Sequence, residues 1–235
     1  YYSVANGAVT ATSTRINSNS EHTVRIDLDF GAHTATVTLD GAVIAEDIPF
    51  NEAADRVDGL SFVARINDGQ TLKNTDAFDV KMGMDDFNLA WTVAGQKSLS
   101  EDFESVTDNW GMTGALAGNV SVDADGKYLK LEGNRLHNEG STVVDLRTAV
   151  KEFTEVTSAM STATVEYKWL TSTMTSASQA GRAGIQLTSE GVEILTLYMG
   201  EHRGGSSTTD DKKENTPVYY SVANGAVTAT STRIN

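Results

Sequence analysis

Apolar and polar residues alternate strictly in residues 21–30: Val24, Ile26, Leu28 and Phe30 fall on one face, and Arg25, Asp27 and Asp29 on the other. That period of two is the signature of a half-buried strand. The alternation resumes in residues 34–39 after a Gly31-Ala-His33 turn, and Asp40-Gly41 then leads into an apolar stretch at 42–45. Asp-Gly tolerates the positive φ angles of a two-residue turn, so this segment is expected to fold as a hairpin. Further strands are predicted at 60–66, 78–82, 84–91, 142–146 and 163–170, with a pair at 183–187 and 192–199 around the Ser189-Glu-Gly191 turn. A hairpin is predicted over 120–131, turning at Asp125-Gly126. Residues 94–100 read as a small polar connector. In residues 147–156 the spacing of Val150, Phe153 and Val156 predicts one short helix. The Gly-, Ser- and Asp-rich stretch 204–217 is expected to be a mobile loop.

One pattern lies outside any single element. Residues 1–17, Tyr-Tyr-Ser-Val-Ala-Asn-Gly-Ala-Val-Thr-Ala-Thr-Ser-Thr-Arg-Ile-Asn, recur unchanged as residues 219–235. The copies imply either one period plus an overlap from a tandem array, or a permuted unit whose joining segment is duplicated. Under both readings the ends of the chain are not the natural ends of a domain. Each copy is a hairpin candidate, turning at Asn6-Gly7 or at Asn224-Gly225. Two copies then compete for one place in a sheet. The displaced copy is expected to stay out, to split its strands, or to enter a neighbouring molecule, giving a hairpin-exchanged oligomer.

Composition narrows the classes. A chain of 235 residues rich in Thr, Val and Gly with only two prolines is long enough for one large all-β domain with a sizeable core. Its 18 Lys and Arg against 32 Asp and Glu give a net charge of −14, which repels polyanions and argues against nucleic acid as a partner. There is no cysteine, so disulfides, thiolate nucleophiles and thiolate metal sites are excluded. No apolar run approaches the ~18 residues of a membrane-spanning helix, and no signal peptide opens the chain. This acidic, cysteine-free β composition points to an extracellular or cell-surface location.

Particular residues suggest a family. Glu101-Asp-Phe-Glu104, with Trp110 a few residues on and a hairpin ending in Tyr128-Leu-Lys-Leu131, resembles the opening of concanavalin-like jelly-roll modules, including carbohydrate-binding modules. Residues 22–27 through 37–41 resemble the middle hairpin of that fold, and residues 78–91, with Met84-Asp-Asp-Phe-Asn-Leu89, its closing strand. The family order then runs from about residue 98 to 218, through one copy of the hairpin, and on from 18 to 97. The expected fold is a single antiparallel jelly-roll β-sandwich in permuted order; a β-solenoid and two smaller β domains are the alternatives.

The resemblance implies a structural calcium where first and last strands meet, held here by Asp102, Glu104, Asp85 and Asp86, whose hard oxygens suit Ca²⁺. Solvated carboxylates are the simpler reading of the same residues. For a glycan ligand, stacking rings and planar polar groups are needed. The candidates are Trp169 and Tyr167 on one strand face, Tyr198, His202 and Arg203 beside the mobile loop, and Arg65 at the end of a third strand. Trp169, Tyr167 and Trp110 read equally as core. Asp27 and Asp29 share a face at a separation suited to glycoside hydrolysis, but they lack the Glu-x-Asp-x-x-Glu pattern of catalytic jelly rolls. His22, His33, His137 and His202 form no pair at metal-ligand spacing.

The expected function is a non-catalytic carbohydrate-binding or adhesion repeat of a larger surface or secreted protein, with a glycan or surface polysaccharide and neighbouring identical repeats as partners. A structural stalk or filament repeat that self-associates by hairpin exchange is the alternative, and a β-sandwich polysaccharide hydrolase or lyase the third.

Overall fold

The structure is a computed structural model, which describes residues 9–16, 20–66, 78–93, 95–104, 111–113, 120–122, 128–133, 144–171, 175–176, 181–200 and 216–221. Among the described residues sixteen strands, numbered in chain order, form two antiparallel sheets, and there is no helix. One sheet runs in the order β1 (Val9–Ile16), β16 (Thr216–Ser221), β15 (Val192–Gly200), β14 (Gly181–Ser189), β5 (Gly59–Ile66), β11 (Val144–Glu152) and β8 (Gly111–Thr113). The other runs β4 (Ala42–Pro49), β3 (Thr34–Leu39), β2 (Ser20–Asp29), β12 (Thr162–Thr171), β6 (Phe78–Val93), β10 (Leu129–Gly133) and β9 (Val120–Val122). β7 (Gly95–Glu101) and β13 (Thr175–Ser176) also pair with β6.

A single core lies between the sheets. The larger sheet supplies Val24, Ile26 and Leu28 from β2, Val37 and Leu39 from β3, Phe87, Leu89 and Trp91 from β6, and Val165, Tyr167 and Trp169 from β12. Leu60, Phe62, Ile185, Leu187, Leu195 and Leu197 face them from the smaller sheet. Fully burying a side chain of this size stabilises by ~1.5–3 kcal/mol. The alternation read in the sequence is therefore the inside–outside alternation of β2, β3 and β12. Outside, the larger sheet carries a lattice of charge: Arg25 with Asp27 at 2.7 Å, Lys168 with Asp86 at 2.8 Å and with Glu21 at 3.5 Å.

The two Asp/Glu-Gly turns form as expected. Asp40 and Gly41 have φ of 50° and 79°, and Glu190 and Gly191 have 50° and 77°. Two successive positive values are the type I′ geometry that matches the twist of an antiparallel pair.

Four expectations are corrected. Residues 147–152 are the end of β11, paired with β5 from Arg147↔Ala64 to Glu152↔Gly59, not a helix. Val150 belongs to that strand, whereas Phe153 and Val156 turn into the core beyond it, with the Val156 N–H donating to the Phe153 carbonyl. The helical spacing is thus a strand followed by a turn. The polar connector at 94–100 is largely strand β7, paired with β6 from Phe87↔Glu101 to Val93↔Gly95. The two short strands predicted at 78–82 and 84–91 are one, the 16-residue β6. Thr216 and Pro217, placed in the mobile loop by their composition, open β16.

Candidate functional site

Two places in the fold are built from segments far apart in the chain. The first is the β16 edge. The last three residues of β16, Tyr219, Tyr220 and Ser221, belong to the C-terminal copy of the duplicated segment and β1 to the N-terminal copy, and they pair antiparallel with Val9 opposite Ser221, Thr10 opposite Tyr220 and Ala11 opposite Tyr219. On its other side β16 pairs with β15, Leu197 facing Tyr220 and Met199 facing Val218. The pairing thus joins the opening residues of one copy to the second half of the other. The predicted turns at Asn6-Gly7 and Asn224-Gly225 lie outside the described residues.

The second is a cleft of about 1210 Å³ at one end of the sandwich. Chain crossovers between the sheets, residues 50–58 and 153–161, both turn here and are tied to the strand ends. The Asn51 N–H donates to the Ile194 carbonyl at 2.8 Å, Asp58 N–H to Thr188 at 3.0 Å, and Met160 N–H to Asp55 at 2.7 Å. Phe30, Met160, Val192 and Ile194 make its apolar walls; Asp29, His33, Glu52, Asp55, Arg56 and Glu190 stand around it.

Arg56 organises the rim. Its guanidinium donates to Asp58 and Asp55, both at 3.1 Å, and to Glu190. The bond to Asp58 foremost, then that to Glu190, holds Arg56 above its usual pKa, so it remains a cation. Asp58 also accepts from the Glu190 N–H at 2.9 Å and so pins the β14–β15 turn. Asp29 is engaged by the Gly31 and Ala32 N–H groups at 2.8 and 2.9 Å. With four carboxylates against one arginine, the rim is net negative.

Of the residues expected to hold calcium, Asp85 and Asp86 lie at a strand junction. The partner of β6 changes from β10, where Met84 faces Leu129, to β7, where Phe87 faces Glu101, and Asp85 and Asp86 lie between. On the opposite edge the register with β12 shifts at the same point, and Asp86 has φ of 46°. Lys168 meets Asp86 at 2.8 Å, and the Asp86 N–H donates to Asp85 at 2.8 Å. Burial, reinforced by the Asp86 charge, raises the Asp85 pKa. Beyond β7, Asp102 and Glu104 point to solvent on either side of buried Phe103, and Asp102 accepts from the Glu104 N–H at 3.1 Å. Among the described residues no three His, Asp or Glu side chains gather closely enough to hold a metal.

Of the expected glycan-binding residues, Trp169 and Tyr167 are the two whose side chains are described. Trp169 and Tyr167 do share a face of β12, but it is the inner one, where they are 0% and 1% exposed, with ring centroids 6.1 Å apart. A stacking platform needs an open ring face, so these two take the core role. Arg65 ends β5 and Tyr198 lies in β15, with side chains outside the described set; His202, Arg203, Trp110 and His137 fall outside the described residues altogether. Asp27 is held by Arg25 at 2.7 Å and by the Thr164 hydroxyl at 2.7 Å, and His22 by Asp40 at 2.6 Å. The end cleft escaped the sequence reading because its walls come from four segments far apart in the chain.

Among known proteins, no family model matches this chain and no curated sequence matches it either.

Proposed function

We propose that the chain is a non-catalytic, concanavalin-like β-sandwich in permuted order, and that it serves a larger surface or secreted protein as a structural repeat joined to further copies through the duplicated segment. The pairing of β1 with β16 carries this reading, because it joins residues from two copies of the same sequence in one sheet. The described outer face of the larger sheet supports it too. That face is polar and cross-linked by ion pairs, as in a stalk, and offers no exposed aromatic platform among the described residues. Light scattering across a wide concentration range is the test. Mass rising with concentration is expected; a constant monomer mass at every concentration would sink the reading.

A second reading, carbohydrate recognition, rests on the end cleft. Apolar walls with a few planar polar groups suit a sugar, and the net negative rim selects neutral or amino sugars over uronates. Calorimetric titration with neutral oligosaccharides tests it, using Val192→Asp, which places a charge on a half-exposed apolar wall without touching the core. Heat of binding that is present in the parent chain and lost in V192D is expected; no binding across an oligosaccharide panel would remove this reading.

A further inference from the structure

β16 offers one edge to β1, and the sequence of β1 occurs twice in the chain. β1 reads Val-Thr-Ala-Thr-Ser-Thr-Arg-Ile, and residues 227–234 read the same. Because the copies are 218 positions apart, the observed pairs of Ser221, Tyr220 and Tyr219 with Val9, Thr10 and Ala11 have exact counterparts with Val227, Thr228 and Ala229. In that arrangement residues 222–226, Val-Ala-Asn-Gly-Ala, connect the two strands. A connection of this length with a central Asn-Gly is ordinary for a hairpin. The acceptor would meet the same side chains in the same register, so contacts alone give no preference between the donors.

Only the tethers differ. β1 is held by the three residues that lead to β2 in the other sheet, and residues 227–234 by the five that follow β16. The cost of closing a loop varies slowly with its length, so neither tether excludes its donor.

We propose that the β16 edge is a shared acceptor, seated by Val9–Ile16 in one closure and by residues 227–234 in the other. The sandwich closes either as a split, permuted unit or through a continuous hairpin. In each closure one strand of identical sequence is left as a donor for the same edge of a second copy. That last consequence deepens the structural-repeat reading and rests on it; the exchange within one chain does not.

Paired prolines in the full chain test the exchange. Neighbouring residues of a strand direct their N–H groups to opposite sides, so Thr10→Pro with Ala11→Pro removes whichever N–H faces β16, and Thr228→Pro with Ala229→Pro does the same to the other donor. Each pair alone leaves one intact donor, and both variants should keep urea midpoints close to the parent and slow hydrogen exchange at residues 218–221. All four prolines together should lower the midpoint by about 1 M or more and expose those amides, far beyond the sum of the two pairs.

If T10P/A11P alone loses the protection of 218–221, residues 227–234 cannot take the seat and the proposal is overturned, even where the four-proline chain does not fold. A four-proline chain as stable and protected as the parent overturns it as well. Mass measured on the same samples separates the two ideas. Self-association that persists unchanged in both two-proline variants keeps the structural repeat and removes strand exchange as its cause, whereas redundant protection in a chain that stays monomeric does the reverse.

Discussion

His22 and Asp40, eighteen residues apart, are locked together across the β2–β3 hairpin, with Nδ1 of the nearly buried imidazole 2.6 Å from the Asp40 carboxylate. The same carboxylate accepts from the Thr23 N–H at 2.9 Å, and Asp40 occupies the first positive-φ position of the turn, at 50°. Replacing it with alanine therefore removes two hydrogen bonds, one of them to a nearly buried ring, and strains the backbone. Asp40→Ala is expected to cost about 2–3 kcal/mol in urea unfolding. Asp40→Asn tolerates the backbone and keeps one acceptor, and should cost about 1 kcal/mol. Equal losses in the two variants would mean that the carboxylate bonds, and not the positive-φ turn, account for the whole effect.

The β14–β15 turn depends on a residue from a different part of the chain. Asp58 accepts from the Glu190 N–H at 2.9 and 3.1 Å and from Arg56 at 3.1 Å, joining the crossover at 50–58 to the turn. Asp58→Ala should destabilise by about 1–2 kcal/mol and accelerate amide exchange at Glu190 while leaving the β2–β3 turn unaffected. Exchange at Glu190 as slow as in the parent would show that the turn stands by itself.

These two turns show where sequence was informative. Asp40-Gly41 and Glu190-Gly191 are local signals, because positive φ at two successive residues restricts which side chains fit. Alternation in β2 and β12 was equally local. It placed Tyr167 and Trp169 on one face but could not say which face meets the other sheet, and that decided between platform and core. β7 carries Gln96, Lys97 and Ser98, with little apolar pattern; it is a strand because the second half of β6 presents an edge there. β6 itself read as two strands divided at Gly83, whereas the register shift that interrupts its alternation lies further on, at Asp85 and Asp86. The cleft draws on segments near 30, 54, 160 and 190, whose proximity is a product of topology.

Asp27 and Asp85 should respond to pH with opposite signs. Burial pulls Asp27 upward, but hydrogen bonds from Arg25 and Thr164 outweigh it and hold the carboxyl below its usual pKa. Its contribution is present above the unfolded value of about 3.9 and is lost as pH falls through the lower folded value. Asp85 is raised, chiefly by burial, so its ionised form costs stability above the folded value and the penalty disappears as pH falls toward the unfolded one. Asp27→Asn should therefore flatten the acid limb of the stability curve, by only a fraction of a kcal/mol because this carboxylate is 40% exposed to screening solvent. Asp85→Asn should raise stability at neutral pH and leave the acid limb unchanged. Urea midpoints measured across the acid and neutral range check both, and shifts of the same sign would refute the assignment.

Gly83 is where β6 passes beneath Tyr128. A Cβ built there would lie 2.4 Å from the Tyr128 ring and 3.0 Å from Leu170 Cδ1, so the ring must move for any larger residue. Gly83→Ala should cost about 1–3 kcal/mol. In a Tyr128→Ala background the same substitution should cost much less, because the clashing ring is gone and alanine favours a strand over glycine. A double-mutant cycle measures the coupling, and additivity would place the constraint on Gly83 elsewhere.

Tyr167 separates the core from the candidate ligand site. Its hydroxyl and the indole N–H of Trp169 are buried with no hydrogen-bond partner among the described residues, and burial raises the phenol pKa far above its usual value. A buried hydroxyl without a partner is a penalty that its ring must outweigh. Tyr167→Phe keeps the ring and should be neutral or stabilising by up to about 1 kcal/mol, whereas Tyr167→Ala empties the space opposite the smaller sheet and should cost about 3–5 kcal/mol. Neither the phenol nor the indole reaches the end cleft, whose walls are Phe30, Met160, Val192 and Ile194. Tyr167→Phe should therefore leave any binding of neutral oligosaccharides unchanged while Val192→Asp abolishes it. Loss of binding in Y167F with the fold intact would return the sugar site to β12 and require that strand to open.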